Sequence, residues 1–325
     1  MDDDSNQDGE TSRVNHLPDF LDSIADVPTE YRTDWICELA RENSERIMSA
    51  TEFDSDYLTL ESVQYIFTVC VRLRLPHEIR YLAILIFTRF MRIHTMQVFE
   101  FLNQVNLPSC RRLREWEKVE ANLSRQTTLR MLSSIQIASK ALSYHDSLSS
   151  KQVCSCLRSL GVAYTQRAAL KSELRILKTL NFRLPQTPLV YSEALFKSVV
   201  SSWPPVDLKS VWEHTLLFLD IVFLHHEQVY QLVIQRTIGN KNILSSVPRA
   251  DIERVKADFM LLGAATVIAA AMRVLPSEFS QEMMLDLARL SGTPCEDIAQ
   301  MATAITQSTI LLQKALPEGA ERVGR

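Results

Sequence analysis

Length, composition and charge already exclude several classes of protein. The chain has 325 residues, of which 46% are hydrophobic and 23% charged, as expected for a globular protein with one large core or two domains of ordinary size. Seven glycines and twelve prolines are too few for a many-turned β protein, and long stretches of Leu, Ala, Gln, Glu, Lys and Arg favour helix, so the sequence predicts an all-α fold.

The net charge of −4 is unevenly distributed along the chain. Residues 1–30 contain nine acidic side chains and one arginine, a composition that predicts a disordered acidic head over residues 1–29. This segment has no apolar run of the kind found in secretory signals. The six cysteines fall mostly in apolar helical patterns, where a free thiol packs as a small hydrophobe, and they indicate a reducing compartment.

Apolar periodicity predicts a first series of helices in the N-terminal half. The helix over 124–143 carries Met131, Ile135, Ala138 and Leu142 on one stripe, and its small residues suit a central position. Residues 95–122, with the mixed-charge stretch Arg111–Lys118, fit no clear pattern. The predicted helices cover 30–50, 58–73, 77–94, 124–143, a short segment from Ser149 to Gly161, and 165–181.

A second series of helices follows the breaks at Pro185 and Pro188. The run Phe259–Met272 is uncharged and apolar, but about 14 residues are too few to span a bilayer, so it predicts a buried central helix. The chain therefore divides into two helical domains, 30–184 and 185–316, with a tail over 317–325. The predicted helices cover 189–201, 207–238, 249–274, 277–290 and 294–315, with Trp203-Pro-Pro205, Gly239 and Pro276 marking breaks.

Two segments resemble the core of a cyclin box. They are Ala138-Ser139-Lys140 and Glu173-x-x-x-Leu177-x-x-Leu180-x-Phe182-x-Leu184. The resemblance implies two tandem five-helix cyclin-fold halves with a flanking N-terminal helix. It also implies that Lys140 and Glu173 bind a helix in the N-terminal lobe of a cyclin-dependent kinase.

The implied kinase interface is chemically reasonable. A lysine offers three donors to backbone carbonyls at the end of a partner helix, and a glutamate accepts from backbone amides. In the resemblance, Leu177, Phe182 and Leu184 supply apolar contacts around this polar pair. Taken singly, Lys140 and Glu173 could also be ordinary charges on a helix surface.

Three further segments are similar to the cyclin N-terminal domain-containing protein 1 family. They are Ser172–Arg183, Leu219–Tyr230 and Val255–Leu262, and the resemblance covers roughly residues 58–275. It implies a regulator of meiotic recombination that promotes crossover designation and maturation at recombination sites on meiotic chromosomes in the nucleus. The implied partners are a cyclin-dependent kinase, MutS- and MutL-type crossover factors and ring-finger ligases. We expect no cofactor, no membrane contact and no direct contact with nucleic acid.

The chain departs from cell-cycle cyclins at several positions. Those cyclins pair an Arg in the first box helix with an Asp before Arg-Phe in the second, whereas here Thr88 precedes Arg89-Phe90 and Thr59 or Glu61 stands near the Arg position. Ala141 replaces the aromatic residue that usually follows the box lysine, and Glu61 and Ser62 make the substrate-docking patch polar. A kinase-independent scaffold for crossover factors therefore stays open, as does a transcriptional cyclin, which would be expressed outside the germ line.

Catalytic and metal-binding interpretations have little support in the sequence. Adjacent His225 and His226 would point about 100° apart on a helix, which does not suit shared ligation of one ion. Cys154-Ser155-Cys156 has no second pair at ligand spacing. No glycine-rich phosphate loop and no recognisable nucleophile motif occurs, so we expect a regulatory subunit and not an enzyme.

Overall fold

The computed structural model describes residues 29–105, 108–142, 147–159, 161–200, 207–238 and 247–315, and within them the chain is helical with no strand. The all-α prediction is confirmed. The expected acidic head, the C-terminal tail, Trp203-Pro-Pro205 and Gly239 lie outside these residues. The helices are α1 Thr29–Ser49, α2 Leu60–Arg72, α3 His77–Gln104, α4 Ser109–Leu142, α5 Ser150–Ser159, α6 Gln166–Thr179, α7 Pro188–Val200, α8 Leu208–Leu224, α9 His226–Ile238, α10 Arg249–Ala257, α11 Phe259–Val274, α12 Ser277–Ser291 and α13 Cys295–Ala315.

Several helices begin or end at the residues that the sequence pattern indicated. Ser149 and Gln152 make a reciprocal capping box at the start of α5, because each side chain accepts from the other residue's backbone amide. After α5, the Gly161 amide donates to the Arg158 carbonyl. Gly161 adopts a φ of 76°, a backbone conformation that is strained for residues with a side chain.

Two predicted continuous helices are in fact broken. The expected helix over 207–238 divides at His225 into α8 and α9, and the expected helix over 249–274 divides at Asp258 into α10 and α11, with a bend of 61° between them. Asp258 causes the second break, since its carboxylate accepts from the Leu261 amide at 2.9 Å and so caps a new helix. A carboxylate inside a continuous apolar helix would lack such a partner.

The first half of the chain is built around α4, which packs against α2, α3, α5 and α6. Its buried stretch runs from Leu129 to Ser139. Met131, Ile135 and Ala138 lie in the core as expected, whereas Leu142 is 46% exposed, because α4 emerges from the core before its last turn.

The segment without a clear sequence pattern forms a two-helix arm. We define the arm as residues 92–104 of α3 and 109–128 of α4, which follow and precede the buried stretches of those helices. Phe99 and Trp116 meet edge to face across it, with ring centroids 5.5 Å apart. The α3 part of the arm is roughly 20 Å long, since its thirteen helical residues rise about 1.5 Å each.

The second half is built around α11, which packs against α7, α8, α12 and α13. The predicted buried central helix is confirmed, because every residue from Met260 to Ala271 is buried. Small side chains allow neighbours to approach closely. A Cβ on Gly263 would lie 3.0 Å from the Ser192 nitrogen and from the Tyr191 Cβ, so α7 contacts the α11 backbone directly.

The N-terminal helix α1 packs on α7, α10, α11 and α12, all in the second half. Asn43 of α1 caps α11, because its Oδ1 accepts from the amides of Phe259 at 2.8 Å and Met260 at 3.2 Å. Its Nδ2 donates to Asp258 Oδ1 at 2.8 Å. The division into domains at residues 184 and 185 stays a prediction.

A buried polar cluster joins the two halves. Arg80 on α3 forms an ion pair with Asp220 on α8 at 2.9 Å, and the Tyr81 hydroxyl donates to the other carboxylate oxygen at 2.6 Å. Arg80 also stacks 5.0 Å from the Phe67 ring centroid. Burial raises the pKa of Asp220, while Arg80 and Tyr81 act in the opposite direction by stabilising the charged form.

Two apolar elements are long enough to cross a membrane by length and composition. They are α3 and, taken together despite their bend, α10 and α11. Their apolar residues pack in the shared core of the protein, which accounts for this composition. All six cysteines are free, and Cys70 and Cys154 pack as small buried hydrophobes as expected, whereas Cys37 and Cys110 are exposed.

Candidate partner-binding site

The end of α4 presents Lys140 from a rigid turn. Ala138 and Ser139 before it are fully buried. The Ser139 hydroxyl donates to the Gln136 carbonyl at 2.9 Å and accepts from the Leu148 amide at 2.9 Å, so it ties the last turn of α4 to the chain that enters α5. Lys140 follows directly and is exposed.

Helix α6 places Glu173 beside this turn. Thr165 caps the helix by accepting from the Ala168 amide, and Ala169, Ser172 and Ile176 form its buried face. Residues that lie three or four apart share a helix face. The spacing therefore places Leu170, Glu173 and Leu174 on a neighbouring face, with Leu177 at its edge, partly buried against the core.

Lys140 and Glu173 meet in an ion pair, with Lys140 Nζ 2.6 Å from Glu173 Oε1. The lysine side chain is 42% exposed and the glutamate side chain 12%. Because the lysine is well exposed, water still screens the attraction, and a pair of this kind contributes about 1 kcal/mol to stability. Since an ammonium has three donors and a carboxylate two acceptor oxygens, both groups retain hydrogen-bonding capacity for a partner.

The turn after α6 holds Phe182 in an unusual conformation. Asn181 and Phe182 have φ angles of 52° and 57°, in the left-handed region. The Phe182 amide closes the turn by bonding to the Leu177 carbonyl at 2.8 Å. This conformation costs a bulky residue about 1 kcal/mol or more, yet the ring is 63% exposed and gains little from burial. Such strain at an exposed aromatic residue is typical of a contact position.

The structure brings the five predicted interface residues onto one region of α4, α6 and the following turn. Lys140, Glu173 and Phe182 offer surface to a partner. Leu177 and Leu184 are partly buried and pack against the core, so they mainly support the other three. Their role in binding a kinase stays a prediction.

Two exposed leucines escaped the sequence interpretation. Leu170 is 52% exposed and Leu174 is 47% exposed, and both lie on the face that carries Glu173. Leu170, Leu174 and Leu177 are spaced as i, i+4 and i+7, which is the signal that could have revealed an apolar stripe on α6. Leu170, Leu174 and Phe182 therefore add exposed apolar surface to the elements that carry the ion pair.

The positions that differ from cell-cycle cyclins are satisfied locally. The buried Thr88 hydroxyl donates to the Ile84 carbonyl at 3.0 Å, and Thr59 caps α2 by accepting from the Ser62 amide. The Ser62 hydroxyl donates to the Tyr57 carbonyl at 3.1 Å. Loss of the Arg/Asp pair therefore leaves no unpaired charge at these positions, and Ala141 is exposed beside Lys140.

The adjacent histidines have structural positions. His225 ends α8, and the His226 ring lies 4.7 Å from the Tyr230 ring. Burial, reinforced by Lys256, lowers the pKa of His226 to about 3, so the ring is neutral at physiological pH. Among the described residues, no group of three or more His, Cys, Asp and Glu side chains is arranged to hold a metal ion.

Comparison with known proteins confirms the expected resemblance and extends it beyond residues 58–275. A mouse (Mus musculus) protein named cyclin N-terminal domain-containing protein 1 is 28% identical over 302 residues, which is 92% of this chain and 88% of the relative. The human (Homo sapiens) protein of the same name is 29% identical over 290 residues, or 89% and 87% of the two chains. No protein-family model matches the chain.

Proposed function

We propose that the chain is a cyclin-like member of the cyclin N-terminal domain-containing protein 1 family, to two of whose members it is similar over about 90% of its length, and that it regulates meiotic recombination. In this proposal the protein promotes crossover designation and maturation at recombination sites on meiotic chromosomes in the nucleus. It acts as the regulatory subunit of a cyclin-dependent kinase, and it works with MutS- and MutL-type factors and ring-finger ligases. The resemblance of the sequence to this family supports the meiotic role.

The observation that carries the kinase proposal is the Lys140–Glu173 pair. Two charged groups lie 2.6 Å apart on α4 and α6, and α6 and the turn after it also carry exposed apolar side chains, Phe182 above all. A polar pair with spare donors and acceptors fits the end of a partner helix, and the surrounding apolar surface excludes water from those bonds. The same surface has little value for folding, which favours a role in binding.

Such a surface can switch a kinase without chemistry of its own. If the kinase helix exists in active and inactive positions, a protein that binds the active position more tightly shifts the equilibrium towards it. Lys140 and Glu173 would supply this difference in affinity, because their hydrogen bonds require one orientation of the partner helix. Since α4 and α6 are fixed by the core of the first half, the surface is preorganised.

The decisive experiment exchanges the two charges. The variant Lys140→Glu/Glu173→Lys keeps an ion pair between α4 and α6 but reverses what each position offers to a partner. We expect wild-type protein to co-purify with a cyclin-dependent kinase from germ-line tissue and the variant to lose it, with circular dichroism showing that both are folded.

A matched control is available on the same helix. Glu115 and Lys118 form an exposed ion pair at 2.9 Å on the arm, away from the proposed interface. The exchange Glu115→Lys/Lys118→Glu should leave kinase recovery unchanged. Absence of a kinase with wild type, or equal recovery with the Lys140/Glu173 exchange, would contradict kinase binding through this surface.

A second candidate function is the kinase-independent scaffold. It is favoured by Ala141, because the exposed position beside Lys140 lacks the aromatic side chain that usually contacts the kinase. The arm also exposes Phe101 and Leu113, apolar side chains remote from the ion pair. If the scaffold is correct, the charge exchange at Lys140 and Glu173 leaves crossover numbers unchanged, and crossover factors co-purify equally with both proteins.

A further inference from the structure

A second concave surface lies between α6 and the base of the arm. This basic groove has a volume of about 520 Å³ and is lined by Arg125, Arg130, Lys171, Arg175, Ser172 and Tyr164, together with amide and apolar side chains. Four of the lining residues carry a positive charge and none carries a negative charge. Within the part of the chain that the structure describes, none of these four cations has an ion pair with Asp or Glu.

The groove occupies a different face of α6 from the Lys140–Glu173 pair. Lys171 and Arg175 are four residues apart and point in nearly the same direction, whereas Glu173 is two residues from each and points away from them. The nearby acids are engaged elsewhere, since Glu173 binds Lys140 and Glu120 accepts from the Trp116 indole at 2.7 Å. The positive charge of the groove is therefore not neutralised by its own helices.

The floor of the groove is a buried guanidinium. Arg130 is 8% exposed and sits 5.3 Å from the Phe90 ring centroid. It donates to the Ser172 hydroxyl at 2.8 Å and to the Gln126 side-chain oxygen at 2.7 Å. A guanidinium has five N–H donors, so these two bonds leave donors for a ligand. A buried charge paired only with neutral groups is costly unless an anion completes its surroundings.

The pKa values of two groups at the groove are lowered, as a positive potential would lower them. Burial, with added repulsion from Arg175, lowers the pKa of Arg130. Burial, again with Arg175 and then Arg130, lowers the pKa of His94 to about 4. His94 stacks on Phe90 and so lies beside the same buried guanidinium. These shifts have the sign expected near a cluster of cations without counter-charges.

We propose that the basic groove binds a phosphorylated serine or threonine of a partner protein. A phosphate monoester carries a charge near −2 at neutral pH and several acceptor oxygens, which matches a floor guanidinium and cationic side chains at the rim. Bidentate bonding by arginine is well suited to phosphate. The Tyr164 hydroxyl, which makes only a long bond of 3.5 Å to the Arg125 carbonyl, adds a hydrogen-bonding group on the wall.

The shape of the groove favours a single phosphate group over nucleic acid. Nucleic-acid surfaces track many phosphates with extended cationic stripes, and single strands add several stacked aromatic side chains. Here the cations form one compact cluster, and among the lining residues Tyr164 alone is aromatic. The inference does not depend on kinase binding, and because the two surfaces face different ways, both can be occupied together.

Peptide binding to the full chain tests the inference. The probes are a fluorescent peptide library with a central phosphothreonine and the matching threonine library, compared by fluorescence anisotropy, with inorganic phosphate as competitor. We expect the phosphorylated library to bind at least tenfold more tightly than the threonine library. One or two charged hydrogen bonds contribute about this much to the free energy of binding. The variant Lys171→Glu/Arg175→Glu alters two exposed rim residues and should abolish this preference.

Matched controls separate a specific site from general charge attraction. The variant Arg111→Glu/Arg114→Glu changes the net charge equally on the exposed arm, outside the groove, and should bind phosphopeptide like wild type. The milder Lys171→Gln/Arg175→Gln should lose part of the preference while melting like wild type.

Three outcomes would overturn the inference. The first is equal binding of both libraries, and the second is phosphopeptide binding that survives Lys171→Glu/Arg175→Glu. The third is that this variant loses binding to a labelled oligonucleotide while its binding of phosphopeptide stays unchanged. Kinase recovery should be unaffected by either groove variant, so failure of this inference can be distinguished from failure of the proposed kinase interface.

Discussion

The central helices of the two halves occupy equivalent positions but differ in what they bury. Twelve consecutive residues of α11, Met260–Ala271, are buried, and almost all are apolar or small. The buried stretch of α4, Leu129–Ser139, includes five polar side chains and occupies only about a third of a 34-residue helix, close to its C-terminal end. Because α11 is enclosed along most of its length, it presents little surface. Helix α4 reaches solvent on both sides of its buried stretch, and the candidate sites lie there, with Lys140 just after the stretch and the basic groove at its beginning.

The buried polar side chains of α4 hold it in place against α6. The Ser133 hydroxyl and the Arg130 guanidinium both bond to Ser172 on α6, each at 2.8 Å. These bonds fix the relative position of α4 and α6, and hence the geometry of both the ion pair and the basic groove. The first half therefore uses buried hydrogen bonds to position its surfaces, while the second half relies on close apolar packing.

The largest effect is expected where the two halves join. Replacing Asp220 with Ala leaves Arg80 buried at 8% exposure without its counter-charge and removes the shorter of the two hydrogen bonds that the Tyr81 hydroxyl makes, leaving only the Leu216 carbonyl as acceptor. Removing one partner of a buried pair typically costs about 3–5 kcal/mol. We expect the free energy of unfolding, measured by chemical denaturation, to fall by about 3 kcal/mol.

An exposed pair provides the control for Asp220. Asp251 pairs with Arg254 at 2.8 Å with about half of each side chain exposed, so Asp251→Ala should cost less than about 1 kcal/mol. Equal losses in the two variants would show that the junction is not a stabilising element. A second unfolding transition in Asp220→Ala would show that the halves become independent when the junction is weakened.

The close packing of α11 predicts an intermediate effect. Gly263→Ala gains about 1 kcal/mol in helix propensity, but its Cβ would meet the α7 backbone at 3.0 Å, and overpacking costs about 1–3 kcal/mol. Since backbone atoms cannot move aside like the end of a flexible side chain, we expect a net loss of about 1–2 kcal/mol, measured by thermal and chemical unfolding.

A substitution in α4, measured by the same unfolding experiments, is the comparison for Gly263→Ala in α11. Ser134 of α4 is fully buried, but its hydroxyl donates to the Arg130 carbonyl of its own helix, so Ser134→Ala should cost less than about 1 kcal/mol. A gain in stability from Gly263→Ala would mean that α7 is free to retreat and that α11 is not tightly enclosed.

Sequence patterns predicted the fold well where apolar periodicity was strong. The buried run in α11 and the stripe Met131–Ala138 in α4 were both recognisable, because core faces repeat at helical spacing. The arm was not predicted, since only its base, at Ile93 and Leu123, packs against the core, and its outer parts have no buried face with a clear helical repeat. The break at Asp258 was also missed, because a capping carboxylate inside an apolar pattern resembles an ordinary helix charge.

The candidate sites show the same limit. Resemblance to cyclins identified Lys140 and Glu173, although 33 residues separate them, and the structure places them in contact. The basic groove has no such precedent in the sequence, because Arg125 and Arg130 meet Lys171 and Arg175 only through the packing of α4 on α6. The i, i+4 spacing of Lys171 and Arg175 was the available local signal.

The smallest effect on stability is expected at Phe182, where the proposed interface is most exposed. Asparagine tolerates the left-handed conformation at φ 57°, and the ring contributes little burial at 63% exposure, so Phe182→Asn should change the free energy of unfolding by less than about 1 kcal/mol. If the ring contacts a kinase, the same change should reduce kinase recovery severalfold. Phe101→Asn on the arm, where the ring is equally exposed, should leave recovery intact. Normal recovery with Phe182→Asn would mean that the strained turn serves the fold alone, and that the first half presents its ion pair without the apolar contact expected beside it.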